Sequence, residues 1–190
     1  MRLTPTGPRV FVAVDPPQGV RDELERALAP LRGSPGEPRW IPPDRWHLTL
    51  LFLGTVPADR LPLLVEAAGP AVAATPPLTL RLSGGGRFGA LRRPQVMWAG
   101  VAGDVAGLAD LAGRLTGAAR ALGLPVEDRP FRPHLTVGRW RPRQPVDGDL
   151  PGRLHGYGGS AWPVTEVCLL ESRPGPAPGY GTLARWPVAG

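Results

Sequence analysis

The 190-residue chain has no lysine, no asparagine, one isoleucine and one cysteine. A single thiol, Cys168 between Val167 and Leu169, excludes an intrachain disulfide framework and a thiolate metal cage. No uncharged apolar run approaches the length needed to cross a membrane. The stretch Met1–Arg9 carries no apolar leader-like core, so a cytoplasmic protein without membrane contact is expected. Glycine and proline, by contrast, are abundant at 26 each, more than a quarter of the residues. That proportion reaches the range of low-complexity chains. Against it, Leu, Val, Phe and Ile together supply about a quarter of the chain, enough to fill a core. The length suits one domain over 1–190, built as two small lobes around a shared core. With lysine absent, all 22 cations are arginine. Arg-for-Lys together with Val-for-Ile is the usage a GC-rich genome produces. The net charge of +6 and a pI near 11.0 nonetheless favour polyanionic partners, nucleic acid or phosphates.

Hydrophobic periodicity places the elements. Val10–Val14 reads as a strand closed by Asp15-Pro16-Pro17. Val20, Leu24, Ala27, Leu28 and Leu31 recur at helical spacing, and this helix ends near Pro30. His47–Leu53 is a strand stopped by Gly54, and Leu61–Val72 a helix strained or ended at Pro70. Leu78–Leu82 alternates as a half-buried strand, and Val96–Val101 is its antiparallel neighbour. Ser83–Gly89 reads as a glycine-rich turn. Without the Gly-Lys-Ser/Thr ending and strand-to-helix setting of a P-loop, it is not a nucleotide cradle. Val105, Leu108, Leu111, Ala112, Leu115 and Leu122 mark a third helix with Asp104 as N-cap. His134–Val137 and Val167–Leu170 are further strands, and Trp140–Ser160 is irregular or an unassigned strand pair. The expected class is α+β with mainly antiparallel pairing.

Two segments repeat: His47-Leu48-Thr49-Leu50 and His134-Leu135-Thr136-Val137. They are 87 residues apart and hold two of the three histidines. Each follows a Pro/Arg loop, Pro42-Pro43-Asp44-Arg45-Trp46 in one case and Pro130-Phe131-Arg132-Pro133 in the other. Residues i and i+2 of a strand share a face, so His47 emerges with Thr49 and His134 with Thr136, while the leucines enter the core. Related by an approximate two-fold, the pairs can meet in one cleft. Two imidazoles with an ordinary pKa of about 6.5 can serve there as general base and general acid, beside hydroxyls that donate to phosphate oxygens. This chemistry requires neither metal nor cofactor. The competing readings are structural histidines on a sheet surface, or zinc held by His47, His134, His155 and Cys168, which lack the close spacing of zinc motifs. His155 reads as an exposed loop residue and Cys168 as a small core residue.

These residues resemble the 2H phosphoesterase superfamily with its paired His-x-Thr-x motifs. Within it the chain is similar to the RNA 2′,3′-cyclic phosphodiesterases, historically called 2′-5′ RNA ligases. The similarity includes Val10–Pro17, Trp40–Gly54, Val96–Val101, Pro130–Arg139 and the closing stretch Tyr180–Pro187, in the family's order. It implies a bilobal fold of two pseudo-symmetric, mainly antiparallel sheet lobes flanked by helices, with both motifs in a central cleft. It implies metal-independent hydrolysis of RNA 2′,3′-cyclic phosphate ends to 2′-phosphates by a monomer, with tRNA fragments among the candidate substrates. By the family's convention His47 is the proton donor and His134 the acceptor, although the roles exchange in the reverse, ligating direction. Thr49 and Thr136 complete the catalytic set. Arg132, Arg139 and Phe52 are candidates for substrate binding, the arginines gripping phosphate and Phe52 stacking on a base. Phe52 also reads as a core residue of its strand, and the arginines as members of surface ion pairs. By strand alternation Arg139 has the wrong parity unless the strand bends at Gly138. The alternatives to RNA cyclic phosphodiesterase are a non-catalytic RNA- or phosphate-binding module, and a related enzyme acting on 2′-5′ linkages or small cyclic phosphates.

Overall fold

A computed structural model describes residues 7–175 and 179–188 of the chain. The Met1–Thr6 part of the stretch read above as lacking a leader lies outside the described residues. Among the described residues nine strands form one sheet: β1 (Arg9–Val14), β2 (Arg39–Trp40), β3 (Leu48–Thr55), β4 (Thr79–Ala90), β5 (Arg93–Gly103), β6 (His134–Arg139), β7 (Trp162–Pro163), β8 (Glu166–Arg173) and β9 (Gly179–Pro187). The order is β7-β4-β5-β6-β3-β1-β8-β9, with β2 added beside β6. Each pairing among these strands is antiparallel. The sheet therefore divides at the β6–β3 junction into a half of four strands, β3-β1-β8-β9, and one of five, β7-β4-β5-β6 with β2, each containing one of the His-x-Thr motif strands.

The three α-helices of the described residues cover one face: α1 (Gln18–Leu28), α2 (Leu61–Ala73) and α3 (Val105–Ala121). α2 packs on α3 and β9, and α3 packs on β3. Val20, Leu24 and Leu28 of α1 and Leu108, Leu111, Leu115 and Ala119 of α3 are buried at the spacing that predicts them. They join Val10, Val12, Val14, Val167 and Leu169 in one large core. The opposite parity of β1 and β8 supplies a second, smaller cluster of Phe11, Ala13, Cys168 and Leu170, covered by Tyr180. This explains why Val10-Phe11-Val12-Ala13-Val14 is continuously apolar: the strand is buried on both faces. Among the described residues no helix is long and apolar enough to cross a membrane.

Several local expectations are corrected. Ser83–Gly89 is not a turn but the middle of β4. Its glycines make room: a Cβ on Gly86 would lie 2.3 Å from the Trp98 ring, and one on Gly85 2.7 Å from Leu154. β3 does not stop at Gly54, which sits inside it at φ +67°. α2 runs through Pro70. Pro70 and Glu66, whose carbonyl loses its usual donor, are both exposed, so water can satisfy that oxygen. Asp104 occupies the N-cap position of α3, yet its carboxylate accepts the Thr79 N–H at 2.7 Å instead of capping the helix. Trp140–Ser160 is mostly irregular around a short 3₁₀ turn, Leu150–Leu154, with one bridge from Gly158 to Ser83.

Candidate active site

β3 and β6 are adjacent and antiparallel, joined through Leu48 and Leu135. One step either way in that register brings His47 towards Thr136 and Thr49 towards His134. Leu48, Leu50, Leu135 and Val137 are buried, as alternation requires, and the four motif side chains are half-buried on the other face. They line a cleft of about 1120 Å³. The loop leading into His47 is fixed from below. Trp46, almost wholly buried, donates its indole N–H to the Ile41 carbonyl at 2.9 Å. Ile41 N–H donates to the Val137 carbonyl of β6 at 2.9 Å, tying the approach to one motif onto the strand of the other.

Both histidines are held the same way. His47 Nδ1 lies 3.0 Å from the Arg45 carbonyl and His134 Nδ1 2.6 Å from the Arg132 carbonyl, two residues upstream in each case. A carbonyl only accepts, so Nδ1 carries the proton and Nε2 is the basic nitrogen of the neutral ring. Aromatic rings pack against each imidazole. Phe11 and Tyr180 lie 4.7 and 5.0 Å from His47, centre to centre, and Phe88 meets His134 edge-on at 4.8 Å. This burial disfavours the charged ring. It pushes His47 down to about 4, with the charges of Arg139, Arg45 and His134 adding to the effect and the Arg45 carbonyl opposing it. His134 is lowered by burial and by Arg139, against the pull of the Arg132 carbonyl.

Phe52 and Arg139 reach the same cleft because each strand bulges. Between the pairs Ala13–Thr49 and Val12–Leu51 the register skips Leu50; between Trp98–Thr136 and Met97–Gly138 it skips Val137. Two consecutive buried residues follow in each strand, Leu50-Leu51 and Val137-Gly138, and the parity reverses. Phe52 and Arg139, each five residues beyond its histidine, therefore turn outward, and both line the cleft. Phe52 is 42% exposed and is not a core residue. Arg132 does not line this cleft; it lies on an adjoining groove, while its carbonyl orients His134.

Sequence reasoning missed most of the cations. Arg9, Arg39, Arg45, Arg139 and Arg141 line the cleft without an ion-pair partner among the described residues. Arg9 lies over Phe52 at 5.8 Å and Arg45 over Tyr180 at 5.3 Å. Phe11, Phe88 and Tyr180 were likewise unassigned. The doubly buried run of β1 was the one signal available for Phe11, since it requires a cover on both faces. Nothing local marks Arg39, which arrives by pairing β2 with Arg139 of β6. The four nitrogen and sulfur donors considered for zinc are not gathered: Cys168 is buried in the small cluster, its thiol pushed up to about 11, and His155 is exposed. Among the described residues no group of three or more His, Cys, Asp or Glu is arranged to hold a metal ion.

A cleft floored by paired His-x-Thr strands at the junction of two antiparallel half-sheets defines the 2H phosphoesterase class. The comparisons with known proteins agree with that class. The sequence pattern of the 2′-5′ RNA ligase superfamily matches residues 6–176, and the chain belongs to that family. It is 33% identical over 191 residues to an RNA 2′,3′-cyclic phosphodiesterase of Thermus thermophilus, covering 96% of this chain and 91% of the relative. It is 30% identical over 181 residues to one of Geobacillus stearothermophilus; that match covers 95% of this chain but 57% of the longer relative. Among solved structures, Escherichia coli LigT complexed with 3′-AMP superimposes with a TM-score of 0.78 at 29% identity, covering 97% of this chain and all of that one. TT0787 of Thermus thermophilus gives 0.74 at 30% identity, over 95% and 97% of the two chains.

Proposed function

We propose that this protein hydrolyses RNA 2′,3′-cyclic phosphate ends to 2′-phosphomonoesters by paired-histidine acid–base catalysis, without a metal ion. The observation that carries the reading is the matched tethering of His47 and His134. In each, a backbone carbonyl occupies Nδ1 and leaves Nε2 for the cleft. One neutral imidazole takes a proton from water as its oxygen attacks phosphorus, and the P–O3′ bond breaks as the other, protonated imidazole gives its proton to O3′. By the family's convention His134 is the acceptor and His47 the donor. The bond made is P–O from water and the bond lost is P–O3′, so the two histidines exchange protonation states in one turnover.

The depressed pKa values suit the acceptor, since a free ring is neutral near pH 7. The donor must be protonated when the phosphate is bound, and the phosphate's negative charge favours that imidazolium. Arg139 offers a bidentate grip on non-bridging oxygens, and Thr49 and Thr136, which line the same cleft, offer hydroxyl donors to the same group. The other unpaired arginines suit the adjoining strand, whose backbone adds a charge at every linkage. Phe52 offers a stacking surface for a base.

The test is product analysis of an oligonucleotide ending in a 2′,3′-cyclic phosphate, with and without a chelator. A 2′-phosphate product formed at equal rate in both conditions is expected. Salt-sensitive binding without turnover would replace this reading with that of a non-catalytic RNA-binding module, and a 3′-phosphate product would overturn the assigned regiochemistry.

A further inference from the structure

A second cavity, of about 750 Å³, opens off the catalytic cleft where β3 and β6 part beyond Leu48 and Leu135. Pro133, which has no N–H to offer β3, stands at the point of divergence. The loop 127–132 and α3 form the walls of the wedge so created, and Thr49, Phe52, Phe88, His134 and the paired Glu127 and Arg129 are shared with the cleft. His47, Thr136 and Arg139 are absent from its lining, so it extends the site only on the His134 side.

Size and chemistry argue for an occupant. Pockets for molecules of about a nucleotide's size measure roughly 300–1000 Å³. The cleft alone meets that need, and the groove is surplus to a mononucleotide. Its aromatic surfaces are Phe52, Phe88 and Phe131, and its floor on α3 is low, made by Ala109, Ala112 and Gly113. Of its cations, Arg120 is paired with Asp128 and Arg129 with Glu127, whereas Arg132 has no ion-pair partner among the described residues. Aromatic faces beside an unpaired arginine are the elements that bind a base and its phosphate without reading sequence.

We propose that this groove is a nucleoside subsite holding the second residue of the RNA strand. The proposal rests on the phosphodiesterase reading. A cyclic phosphate uses both the 2′ and 3′ oxygens of the terminal ribose, so the strand can continue only through that ribose's 5′ oxygen. A second nucleoside in the groove is therefore the 5′ neighbour of the reacting one. Phe52 and Phe88, shared by the two cavities, stand between the two positions, and Arg132 is the cation at the groove available to the intervening phosphate.

The test compares kcat/KM for a 2′,3′-cyclic mononucleotide with that for the dinucleotide carrying one further residue on its 5′ side. Gly113→Leu fills the groove from α3. Nothing lies within 4 Å of a Cβ at Gly113, and leucine is a good helix former, so the variant should fold. The wild-type protein should prefer the dinucleotide by roughly tenfold, the scale of one stacked base. In Gly113→Leu that ratio should fall towards one, and Arg132→Ala should lower it independently. A wild-type ratio near one, or a ratio unmoved by either variant, would overturn the subsite. Failure of the wild-type protein to turn over either substrate would instead overturn the phosphodiesterase reading.

Discussion

Leu48 of β3 faces Leu135 of β6 in the one bridge that joins these strands among the described residues, and both side chains are buried. A buried pair at the junction of the two half-sheets fixes the register there, because a slip of either strand by one residue would turn its leucine into the cleft and its histidine into the core. The meeting of the two His-x-Thr pairs in one cleft follows from this pair.

Replacing His47 or His134 by Ala should lower kcat on a cyclic-phosphate substrate by roughly 10²–10⁴-fold, the usual contribution of a positioned acid or base. Neither ring holds the core together, so far-UV circular dichroism should stay near that of the parent. Retention of full turnover by either variant would remove the paired-histidine mechanism.

The pH dependence has a defined sign. The profile of kcat/KM reports the free enzyme. There the acceptor must be neutral, which is lost as pH falls through its pKa. The donor must be protonated, which is lost as pH rises through its own. His47 is pushed down to about 4 and His134 also lies below its usual 6.5, so the bell should centre on the acidic side of 6.5. Bound phosphate stabilises imidazolium, so the profile of kcat should lie to the alkaline side of that of kcat/KM. Parallel measurement of the two profiles checks both statements; a kcat/KM bell centred above pH 7 would contradict the first.

Arg139 owes its place to the bulge at Val137. If its guanidinium grips phosphate with two parallel bonds, Arg139→Ala should cost about 1.5–3 kcal/mol in kcat/KM. Arg139→Lys should restore little, since an ammonium lacks the planar fork. Arg139→Ala should also raise the pKa of both histidines, because the Arg139 charge lowers each of them and lysine would keep that charge. Proton NMR titration of the imidazoles in Arg139→Ala would show this directly.

Two glycines separate close packing from spare freedom. Gly86→Ala would set a methyl against the Trp98 ring and should destabilise by about 1–3 kcal/mol. Gly117→Ala, on α3 with nothing within 4 Å of the new atom, should stabilise by about 0.5–1 kcal/mol. Thermal melts should move in opposite directions, by roughly 2–4 °C per kcal/mol.

The sequence by itself determined the strand and helix stripes, the antiparallel α+β class and the paired His-x-Thr motif. Alternation about Leu48 and Leu135 requires each histidine to emerge with its threonine, and a repeat of that pattern containing two of three histidines is legible without coordinates. The abundance of glycine and proline was legible as punctuation at Pro16-Pro17 and Pro133. It misled at Ser83–Gly89, where glycine serves the close approach of Trp98 and Leu154 instead of a turn. Tertiary structure alone decided what joins the two motifs. The bulges at Leu50 and Val137 exist because neighbouring strands skip a residue, so the outward turn of Phe52 and Arg139 depends on partners distant in the chain. The gathering of Arg9, Arg39, Arg45, Arg139 and Arg141 is of the same kind. Composition counts charges, but only the folded chain, by strand pairing for Arg9, Arg39 and Arg139 and by the adjoining loops for Arg45 and Arg141, brings these five to one cleft.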